Sequence, residues 1–375
     1  MRILILANND LGLFRFRKDL IQTILSYGNE VYISLPNGDF VEPLTKMGCV
    51  FVDTPVDRRG MNIKNDISLF RRYRRIIKET NPDFVITYTI KPNIYGGIAS
   101  SMGKRQYAAN ITGLGSAFEK KGILRFALII LHKIALKKAK VVFVENSGIA
   151  ELITDMKMCR KEQIVVVNGA GVDLNEFNYQ EYPAHRTLHF LFVGRVMKDK
   201  GVDELLAATK RLVKNGYDCV LDIVGPFEED YAEAIKESEN EGWLNYYGFQ
   251  KDVRPFISDC DCFVLPSYHE GMANTNLESA SSGRPVITSD IPGCKESVVD
   301  GKSGFLIDVK NVDSLYNAMA KISQLSMQKR RSMGLEGRKH MEKVFDKRLV
   351  VEKTINSLFK CNSMGVDKNC DPFRS

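Results

Sequence analysis

The sequence has no apolar run approaching the roughly 18 to 20 residues that a transmembrane helix needs. Its opening segment, residues 1–6, reads as a strand and is too short for the apolar core of a signal peptide. The eight cysteines have neither a pairing nor a zinc-ligand spacing, and the chain contains no repeat at a solenoid period. We therefore expect a cytoplasmic globular protein with reduced cysteines.

Residues spaced as metal ligands are equally scarce. His185 and His189 are four apart, but they fall in a polar segment and a strand rather than on one helical face. Asp259 and Asp261 flank Cys260 directly before an apolar run, where a capping role is favoured. We expect no metal site and no cofactor.

The 375 residues suit two domains of roughly 150 to 200 residues each, and 44% apolar with 26% charged residues is typical of globular proteins. Residues 1–175 contain 26 Lys and Arg against 16 Asp and Glu, a net +10, whereas the remainder contains 27 against 30, a net −3. A basic half without nucleic-acid motifs favours an anionic membrane surface or an anionic acceptor as partner. Solvated surface charge is the alternative.

Short runs rich in Val and Ile alternate with helical patterns along the chain, which predicts parallel sheets covered on both faces. The predicted strands are residues 2–7, 30–35, 49–56, 84–88, 107–111, 141–145, 164–167, 188–193, 220–224, 243–247, 262–265 and 286–289. The predicted helices include residues 13–27, 66–79, 202–214, 229–239, 253–258 and 275–282, and residues 312–345 are mostly helical. The fold class is therefore α/β with two doubly wound domains.

A polar segment containing Pro183 separates the two series of strands. The predicted organisation is an N-terminal domain (1–178), a linker (179–186), a C-terminal domain (187–345), a C-terminal helix (346–360) that could cross back to the first domain, and a loose tail (361–375). In doubly wound sheets ligands bind beyond the carboxyl ends of the strands. We expect a site in a cleft between the domains.

The stretch Ser267–Glu278 follows a buried strand and leads into a helix. Asn274 is the predicted N-cap, which leaves Glu270 in the loop and Glu278 one turn inside the helix. The free amides and the dipole of a helix start suit a phosphate, whereas carboxylates suit hydroxyl groups. The stretch therefore predicts a site for a sugar carried on a diphosphate.

A second turn, Gly194-Arg195-Val-Met-Lys-Asp-Lys200-Gly201, follows the first strand of the second domain. Arg195 and Lys200 can hold a diphosphate from two directions, the first by its planar fork and the second as a point charge. A solvated basic loop is the alternative interpretation.

Together, Gly-Arg-x4-Lys (Arg195, Lys200) and Glu-x7-Glu (Glu270, Glu278) resemble the motifs of the retaining glycosyltransferases of family four, which have two Rossmann-like domains facing a central cleft (the GT-B fold). Further matching segments are Val224–Pro226, Tyr247–Phe249, Phe263–Gly271, Glu278–Val286 and Gly301–Phe305. The resemblance covers about residues 1–360, and several motifs in order make it specific.

The resemblance implies roles by position. Arg195 and Lys200 would neutralise the departing diphosphate, Glu278 would bind the ribose, and Glu270 would hold the donor sugar. The donor-binding residues implied in addition are Gly271, Met272, Ala273, Asn274 and Thr275 around the phosphate and sugar, Phe249 and Gln250 beside the base, and Gly12 near the diphosphate.

The sequence identifies the site residues of the first domain less clearly. Asp10 and Asn9 adjoin Gly12, and a second loop that contains Gly113 allows close backbone approach. Many relatives have a His in the segment that corresponds to residues 88–93, where this chain has none. Lys91, Asn93, Asp10 and Gly113 are the predicted acceptor contacts.

Residues 122–140 form an apolar segment with cations at its end, which resembles an interfacial helix on anionic lipid. A buried helix with basic residues at its C-terminus is the alternative. A second basic cluster, Arg71-Arg72-Tyr73-Arg74-Arg75, favours contact with the inner membrane surface.

These features predict a metal-independent, retaining hexosyltransferase that moves a sugar from a nucleotide diphosphate sugar, with uridine the base suggested by the family, to a sugar hydroxyl on a polyprenyl-diphosphate carrier. The expected setting is surface polysaccharide or glycan assembly on the cytoplasmic face of the membrane. A nucleotide-sugar epimerase with a similar double-Rossmann architecture, and a non-enzymatic nucleotide-sugar or membrane-binding module, are the alternatives. The donor sugar stays open.

Overall fold

A computed structural model describes residues 1–57, 62–113, 122–184 and 186–359, with only the backbone of Ile123 and Leu124. Its internal contacts divide the chain into two units. The N-terminal unit is Met1–Ala170 together with the C-terminal segment from Val350, and the C-terminal unit is Gly171–Leu349. Each unit is built on one parallel sheet, which confirms the predicted class of two parallel-sheet α/β domains.

Seven parallel strands form the sheet of the N-terminal unit, in the order β3-β2-β1-β4-β5-β6-β7. They are β1 (Arg2–Leu6), β2 (Glu30–Leu35), β3 (Val50–Asp53), β4 (Phe84–Tyr88), β5 (Gln106–Ile111), β6 (Val141–Val144) and β7 (Ile164–Val166). The helices are α1 (Asp10–Ser26), α2 (Val41–Lys46), α3 (Ile63–Thr80), α4 (Gly97–Met102), α5 (Ile123–Leu136) and α6 (Ser147–Asp155), and Pro92–Gly96 forms a π-helical turn.

Both faces of this sheet are buried, as β1 shows. Ile3 and Ile5 pack in one hydrophobic cluster, whereas Leu4 and Leu6 pack in the other. Successive side chains of a strand point to opposite faces, so an unbroken apolar run serves two layers of helices.

Six parallel strands form the sheet of the C-terminal unit, in the order β10-β9-β8-β11-β12-β13. They are β8 (Leu188–Val193), β9 (Cys219–Val224), β10 (Leu244–Tyr246), β11 (Cys262–Leu265), β12 (Val286–Ser289) and β13 (Gly304–Ile307). The helices are α7 (Val202–Lys214), α8 (Ala232–Asn240), α9 (Arg254–Asp259), α10 (Asn274–Ser281), α11 (Val312–Gln324) and α12 (Met327–His340), and α13 (Lys347–Phe359) ends in the N-terminal unit, where Val350, Val351 and Leu358 join the core.

The structure differs from the predicted organisation at two places. The division falls between Ala170 and Gly171, and the predicted linker packs on the C-terminal unit, where Gln180 N donates to Ser282 O at 3.2 Å. Strand β13 was not predicted, because Phe305 begins an apolar run of only three residues. The tail 361–375 lies outside the described residues.

Arg284 holds the predicted linker against the C-terminal unit. Its side chain is completely buried and donates to the carbonyl oxygens of Ile257 at 3.0 Å and Glu181 at 2.8 Å, among others. Buried carbonyl groups that lose a donor pay the full desolvation penalty. The guanidinium therefore serves the fold rather than a ligand.

We expect Arg284→Met to destabilise the C-terminal unit by about 3 kcal/mol or more, because methionine fills similar space but leaves several buried carbonyls without a donor. The single tryptophan, Trp243, is 4% exposed in this unit, so its fluorescence during urea unfolding reports on the unit alone. Arg331→Met removes an arginine that is half exposed and pairs with Glu181, and should change stability by less than about 0.5 kcal/mol. Equal midpoints for both variants would contradict the assignment.

Candidate functional site

The predicted donor residues of the C-terminal unit gather at one edge of its sheet. Arg195 and Lys200 follow β8, Phe249 and Gln250 follow β10, and the stretch Ser267–Glu278 follows β11. Parallel strands share a carboxyl edge, so loops that follow neighbouring strands converge there. The structure thus brings together residues separated by up to 83 positions in the sequence.

Lys200 and Glu270 form the centre of this cluster. The Lys200 ammonium contacts the Glu270 carboxylate, and their side chains are only 17% and 14% exposed. Removing one partner of a partly buried ion pair is strongly destabilising, because the other charge is then left uncompensated. An ammonium has three donors, so Lys200 can keep Glu270 and still donate to an incoming phosphate.

Close backbone approach keeps the two loops together. Gly201 has φ +72°, and a Cβ there would lie 2.1 Å from the carbonyl oxygen of Pro266. Gly293, in the loop after β12, has φ +88°, and its Cβ would lie 2.6 Å from the carbonyl oxygens of Glu270 and Gly271. Both positions require glycine for conformation and for space.

Tyr268 anchors the Glu270 loop to α7. Its backbone amide donates to Asp199 O at 2.8 Å, and its hydroxyl lies 2.8 Å from both carboxylate oxygens of Glu204. Burial, followed by the Glu204 carboxylate, raises the pKa of Tyr268 above its ordinary value, so the hydroxyl stays a donor. Sequence reasoning missed this positioning role, for which the only signal was the pair of acidic residues, Asp203 and Glu204, in the first turn after Gly201.

Asn274 is not the helix cap that the sequence predicted. Helix α10 begins at Asn274 itself, and the N-cap residue, Ala273, has no side chain that could cap. The Asn274 side-chain oxygen is buried and accepts no hydrogen bond in the described part of the chain. A buried acceptor without a donor is a rare feature that suits a ligand hydroxyl.

The amides at the start of α10 are only partly available. The Ala273 amide donates to Gly293 O at 2.8 Å and the Asn274 amide donates to Met272 O at 2.9 Å, whereas Thr275 N makes no bond to any described residue. The side chains of Met272 and Ala273 are 5% and 2% exposed and pack in the core. Those two side chains are therefore not accessible to a ligand, and Thr275 and backbone groups are left as the predicted donor contacts.

Glu278 lies in the second turn of α10 and is 5% exposed. The helix is fixed beneath the site by Asn276, whose side-chain nitrogen donates to the hydroxyls of Thr288 and Ser297, each at 3.0 Å. Rigid supporting hydrogen bonds of this kind keep a binding residue in one orientation.

Arg195 and Phe249 are the more exposed members of the site. The Arg195 side chain is 48% exposed and lies 3.6 Å from the Glu228 carboxylate, so it is free to turn towards an anion. Phe249 is 65% exposed, so its ring is available to stack on a planar group. Gln250 donates to Tyr247 O at 2.8 Å and so borders the same strand end.

The Cys294 thiol lies close to Glu270, and burial is the main influence on its pKa. Desolvation, followed by the charge of Glu270, raises the pKa of Cys294 well above its ordinary value. A neutral, buried thiol is a poor nucleophile, so the chemistry of this site falls to the lysine and the carboxylates.

In the N-terminal unit, the predicted loop residues belong to a helix. Helix α1 begins at Asp10, so Gly12 lies in its first turn, where its amide donates to the N-cap side chain of Asn9 at 2.6 Å. The Asp10 carboxylate accepts from Phe40 N at 2.8 Å, which fixes the neighbouring loop. The sequence predicted that Gly12 lies in a loop and that Asp10 contacts the acceptor substrate. The structure gives both residues local structural roles.

Asn93 is also engaged within the protein. It is 2% exposed, accepts from the Thr87 hydroxyl at 2.6 Å and donates to Asn110 O at 2.7 Å. Its side-chain amide is fully engaged by these buried hydrogen bonds, which argues against the predicted contact with the acceptor substrate.

Lys91 lines an open cleft of about 510 Å³ at the carboxyl ends of β2 to β4. It lies 2.7 Å from the Asp66 carboxylate, and both side chains are largely buried. An ion pair with open space beside it offers both donors and acceptors to hydroxyl groups. Lys91 therefore stays a predicted acceptor contact. Gly113 is half-buried after β5, and residues 114–116 of its loop lie outside the described residues.

Thr89 was missed by sequence reasoning. This β-branched residue has φ +72° directly after β4, and its hydroxyl is buried without a hydrogen-bond partner in the described chain. Positive φ is strained and uncommon for a β-branched residue, and such strain is found most often at functional sites. The only sequence signal was its place in the segment where many relatives have a histidine.

Within residues 1–57, 62–113, 122–184 and 186–359, no helix combines the length and apolarity needed to cross a membrane. Over the same residues, the structure brings together no group of three or more His, Cys, Asp or Glu side chains that could hold a metal ion.

Two family models match the chain, one for each unit. "Glycosyl transferases group 1" matches residues 175–340, and "Glycosyl transferase 4-like" matches residues 2–146. The first includes Arg195, Lys200, Glu270 and Glu278 of the predicted donor site, and the second includes Gly12, Lys91 and Asn93. Together they span most of both sheets.

Two curated proteins are similar over most of their length. N,N'-diacetylbacillosaminyl-diphospho-undecaprenol alpha-1,3-N-acetylgalactosaminyltransferase of Campylobacter jejuni is 26% identical over 84% of this chain and 87% of its own. UDP-Gal:alpha-D-GlcNAc-diphosphoundecaprenol alpha-1,3-galactosyltransferase of Escherichia coli is 27% identical over 71% of this chain and 72% of its own. Neither relative supports the epimerase alternative.

The fold is shared with a solved structure, Anabaena HepE in complex with UDP and glucose. The TM-score is 0.78 at 18% sequence identity, over 96% of this chain and 99% of that chain.

Proposed function

The chain belongs to the glycosyltransferases of the group 1 and 4-like families, and from this membership we propose that it transfers a sugar from a UDP-sugar to a hydroxyl of a sugar linked to a polyprenyl diphosphate. The contact between Lys200 and Glu270 beside the start of α10 carries the proposal. The Campylobacter and Escherichia relatives are named for diphospho-undecaprenol-linked acceptors, and the second also for a UDP-sugar donor. The setting we propose is surface glycan assembly.

The donor diphosphate lies between Lys200 and Arg195 in this proposal, and the free amide of Thr275 faces it. The bond from the anomeric carbon to the diphosphate oxygen breaks with its electron pair going to the diphosphate. Negative charge therefore grows where the two cations and the helix start lie, and fixed charges of this kind stabilise a transition state more than a ground state.

Glu270 accepts hydrogen bonds from hydroxyl groups of the transferred sugar, and the buried Asn274 oxygen is a second acceptor. The acceptor hydroxyl bonds to the anomeric carbon, and its proton leaves with the departing diphosphate. Glu278 accepts from the ribose. We propose retention of the donor's anomeric configuration, because the motifs resemble those of the retaining glycosyltransferases, and both relatives are named for alpha linkages.

Product analysis tests the reaction. Incubation with a UDP-sugar panel and a short-chain polyprenyl-diphosphate sugar should add one sugar to the acceptor by mass spectrometry, with an alpha linkage by NMR coupling constants. Conversion of the UDP-sugar without an acceptor, or an inverted linkage, would contradict the proposal.

We propose that transfer requires no metal ion, because Arg195 and Lys200 already supply the positive charge that a metal ion would give a diphosphate. Activity should change less than twofold when EDTA is present in excess. A loss that Mg²⁺ or Mn²⁺ restores would overturn this part of the proposal. Heat-treated protein with the same additions is the control for background hydrolysis.

We further propose that the protein works as a peripheral protein on the cytoplasmic face of the membrane. Helix α5 exposes Phe126, Ile130 and Ile134, which are 65%, 40% and 53% exposed at a spacing of four. Exposed Lys133 and Lys137 flank this face. An apolar stripe bordered by cations is typical of a helix that lies on anionic lipid.

Phe126→Ser with Ile134→Ser should weaken binding to vesicles that contain phosphatidylglycerol about tenfold or more, because each buried apolar side chain contributes about 1.5 to 3 kcal/mol. Ile63→Ser with Ile67→Ser is the matched control, since these α3 side chains are 73% and 46% exposed. Co-sedimentation measures both pairs. Equal loss in the control would show that α5 is not the docking face.

A further inference from the structure

A cation-lined cleft lies on the N-terminal unit and shares no lining residue with the candidate site residues. Its volume is about 480 Å³, and it opens between the second half of α3, the end of α4 and the start of β5. The charged residues that line it are Arg71, Arg74, Arg75, Lys78 and Arg105, and its lining contains no acidic residue. An apolar floor completes it.

Four of these cations form a stripe on one helical face. Arg71, Arg74, Arg75 and Lys78 follow the spacing i, i+3, i+4 and i+7 in α3, and all four are exposed. Like charges at this spacing destabilise a helix. None of the four forms an ion pair within the part of the chain that the structure describes, so no described carboxylate compensates the stripe. The helix dipole accounts for one cation in the last turn, Lys78, and not for the three arginines before it.

Arg105 faces the stripe from the other wall. Its terminal guanidinium nitrogen donates to the side chain of Asn81, the C-cap residue of α3, which fixes the fork beside the helix end. Its Nε is buried and makes no hydrogen bond to any described residue. A buried guanidinium N–H without an acceptor is rare in proteins and suits an oxyanion.

The floor of the cleft is apolar. Ile77 and Ala99 are 3% and 1% exposed, and Met102 beside them is 56% exposed. Cations above an apolar floor suit a ligand that combines a phosphoryl group with an uncharged part. One arginine side chain can donate two parallel hydrogen bonds to two oxygens of a phosphoryl group.

The cleft lies at the amino edge of the N-terminal sheet. Arg2, at the start of β1, donates to Thr80 O at the end of α3 at 2.8 Å, and Arg105 directly precedes β5. Lys91 and Gly113 follow their strands and lie at the carboxyl edge. The cleft and the predicted acceptor residues are therefore at opposite edges of one sheet.

We propose that this cleft is a phosphoryl-binding site, separate from the site of sugar transfer, that holds the phosphate of an anionic ligand between Arg105 and the arginine stripe of α3. The phosphate can belong to a lipid headgroup or to a soluble diphosphate. Both present the same oxyanion to the same arginines, and the source is decided by experiment.

The test compares Arg71→Gln/Arg75→Gln with Lys64→Gln/Lys161→Gln, which removes two exposed cations outside the cleft. Both pairs are made in the Arg195→Ala/Lys200→Ala protein, so that the transfer site does not bind the probe. Inorganic diphosphate is titrated by calorimetry, and co-sedimentation is measured with phosphatidylcholine vesicles with and without phosphatidylglycerol.

Relative to the Arg195→Ala/Lys200→Ala protein, we expect the cleft pair to weaken diphosphate binding, or the phosphatidylglycerol-dependent part of vesicle binding, at least tenfold, and the control pair to change either less than twofold. Loss in the diphosphate arm identifies a soluble source, and loss in the vesicle arm identifies a headgroup. Equal behaviour of the two pairs, or no binding of either probe before the Gln substitutions, would overturn the proposal.

Arg105→Lys gives a second and milder test, because lysine keeps the charge but loses the fork. Binding should fall about three- to tenfold, and unchanged binding would show that Arg105 is not a ligand. Far-UV circular dichroism melting confirms that each variant is folded. Sugar transfer is assayed separately, so failure of the cleft does not bear on the proposed reaction.

Discussion

Lys200→Ala is expected to lower kcat/KM for sugar transfer about 10³-fold, a loss of about 4 kcal/mol in transition-state stabilisation. The variant removes a cation that opposes charge on the departing diphosphate. It also leaves Glu270, which is 14% exposed, without its positive partner. Both effects weaken donor binding, so the donor KM should rise while kcat falls.

Lys198→Ala is the matched control for this variant. Lys198 lies in the same 3₁₀ turn (Lys198–Lys200), is 66% exposed and is 3.8 Å from Asp203. We expect less than a threefold change in kcat/KM. If the two variants lost similar activity, the turn would matter as a loop and Lys200 would have no special role.

Glu270→Gln is expected to lower kcat about 10²- to 10³-fold and to leave the donor KM unchanged or lower. Glutamine keeps the size of the side chain but loses the negative charge that holds the donor sugar in the transition state. It also frees the Lys200 ammonium for the diphosphate. A donor KM that rises in the Lys200 variant but not in the Glu270 variant distinguishes a diphosphate contact from a sugar contact.

Asp290→Asn provides the matched control for the carboxylate. Asp290 lies in the loop after β12, where it is 56% exposed and 3.5 Å from Lys295. Turnover within threefold of the unmodified protein is expected. A Glu270 variant that turned over at the same rate as this control would remove Glu270 from the mechanism.

Spacing alone predicted that the candidate donor residues follow strands of the C-terminal unit, and the structure places them after β8, β10 and β11. Each follows a strand of apolar residues, and the carboxyl ends of parallel strands converge. The contact between Lys200 and Glu270 could not be read in the same way, because it depends on how closely Gly201 approaches Pro266. The prediction that Asn274 caps the helix was wrong, because Ala273 occupies the N-cap position and Asn274 is the first residue of the helix.

The N-terminal unit was predicted less well for a physical reason. A polar residue after a strand can face a ligand or satisfy a distant backbone group, and local sequence does not distinguish the two. Asp10 accepts from Phe40 and Asn93 donates to Asn110, and neither partner is adjacent in sequence. Lys91, by contrast, lines an open cleft.

The proposed role of the donor site is tested most directly by acceptor-dependent release of UDP. Unmodified protein and Lys198→Ala should release UDP from at least one UDP-sugar when a polyprenyl-diphosphate-linked sugar is added, and Lys200→Ala and Glu270→Gln should release it at least 100-fold more slowly. Release that does not depend on the acceptor, or that persists in both site variants, would contradict the account.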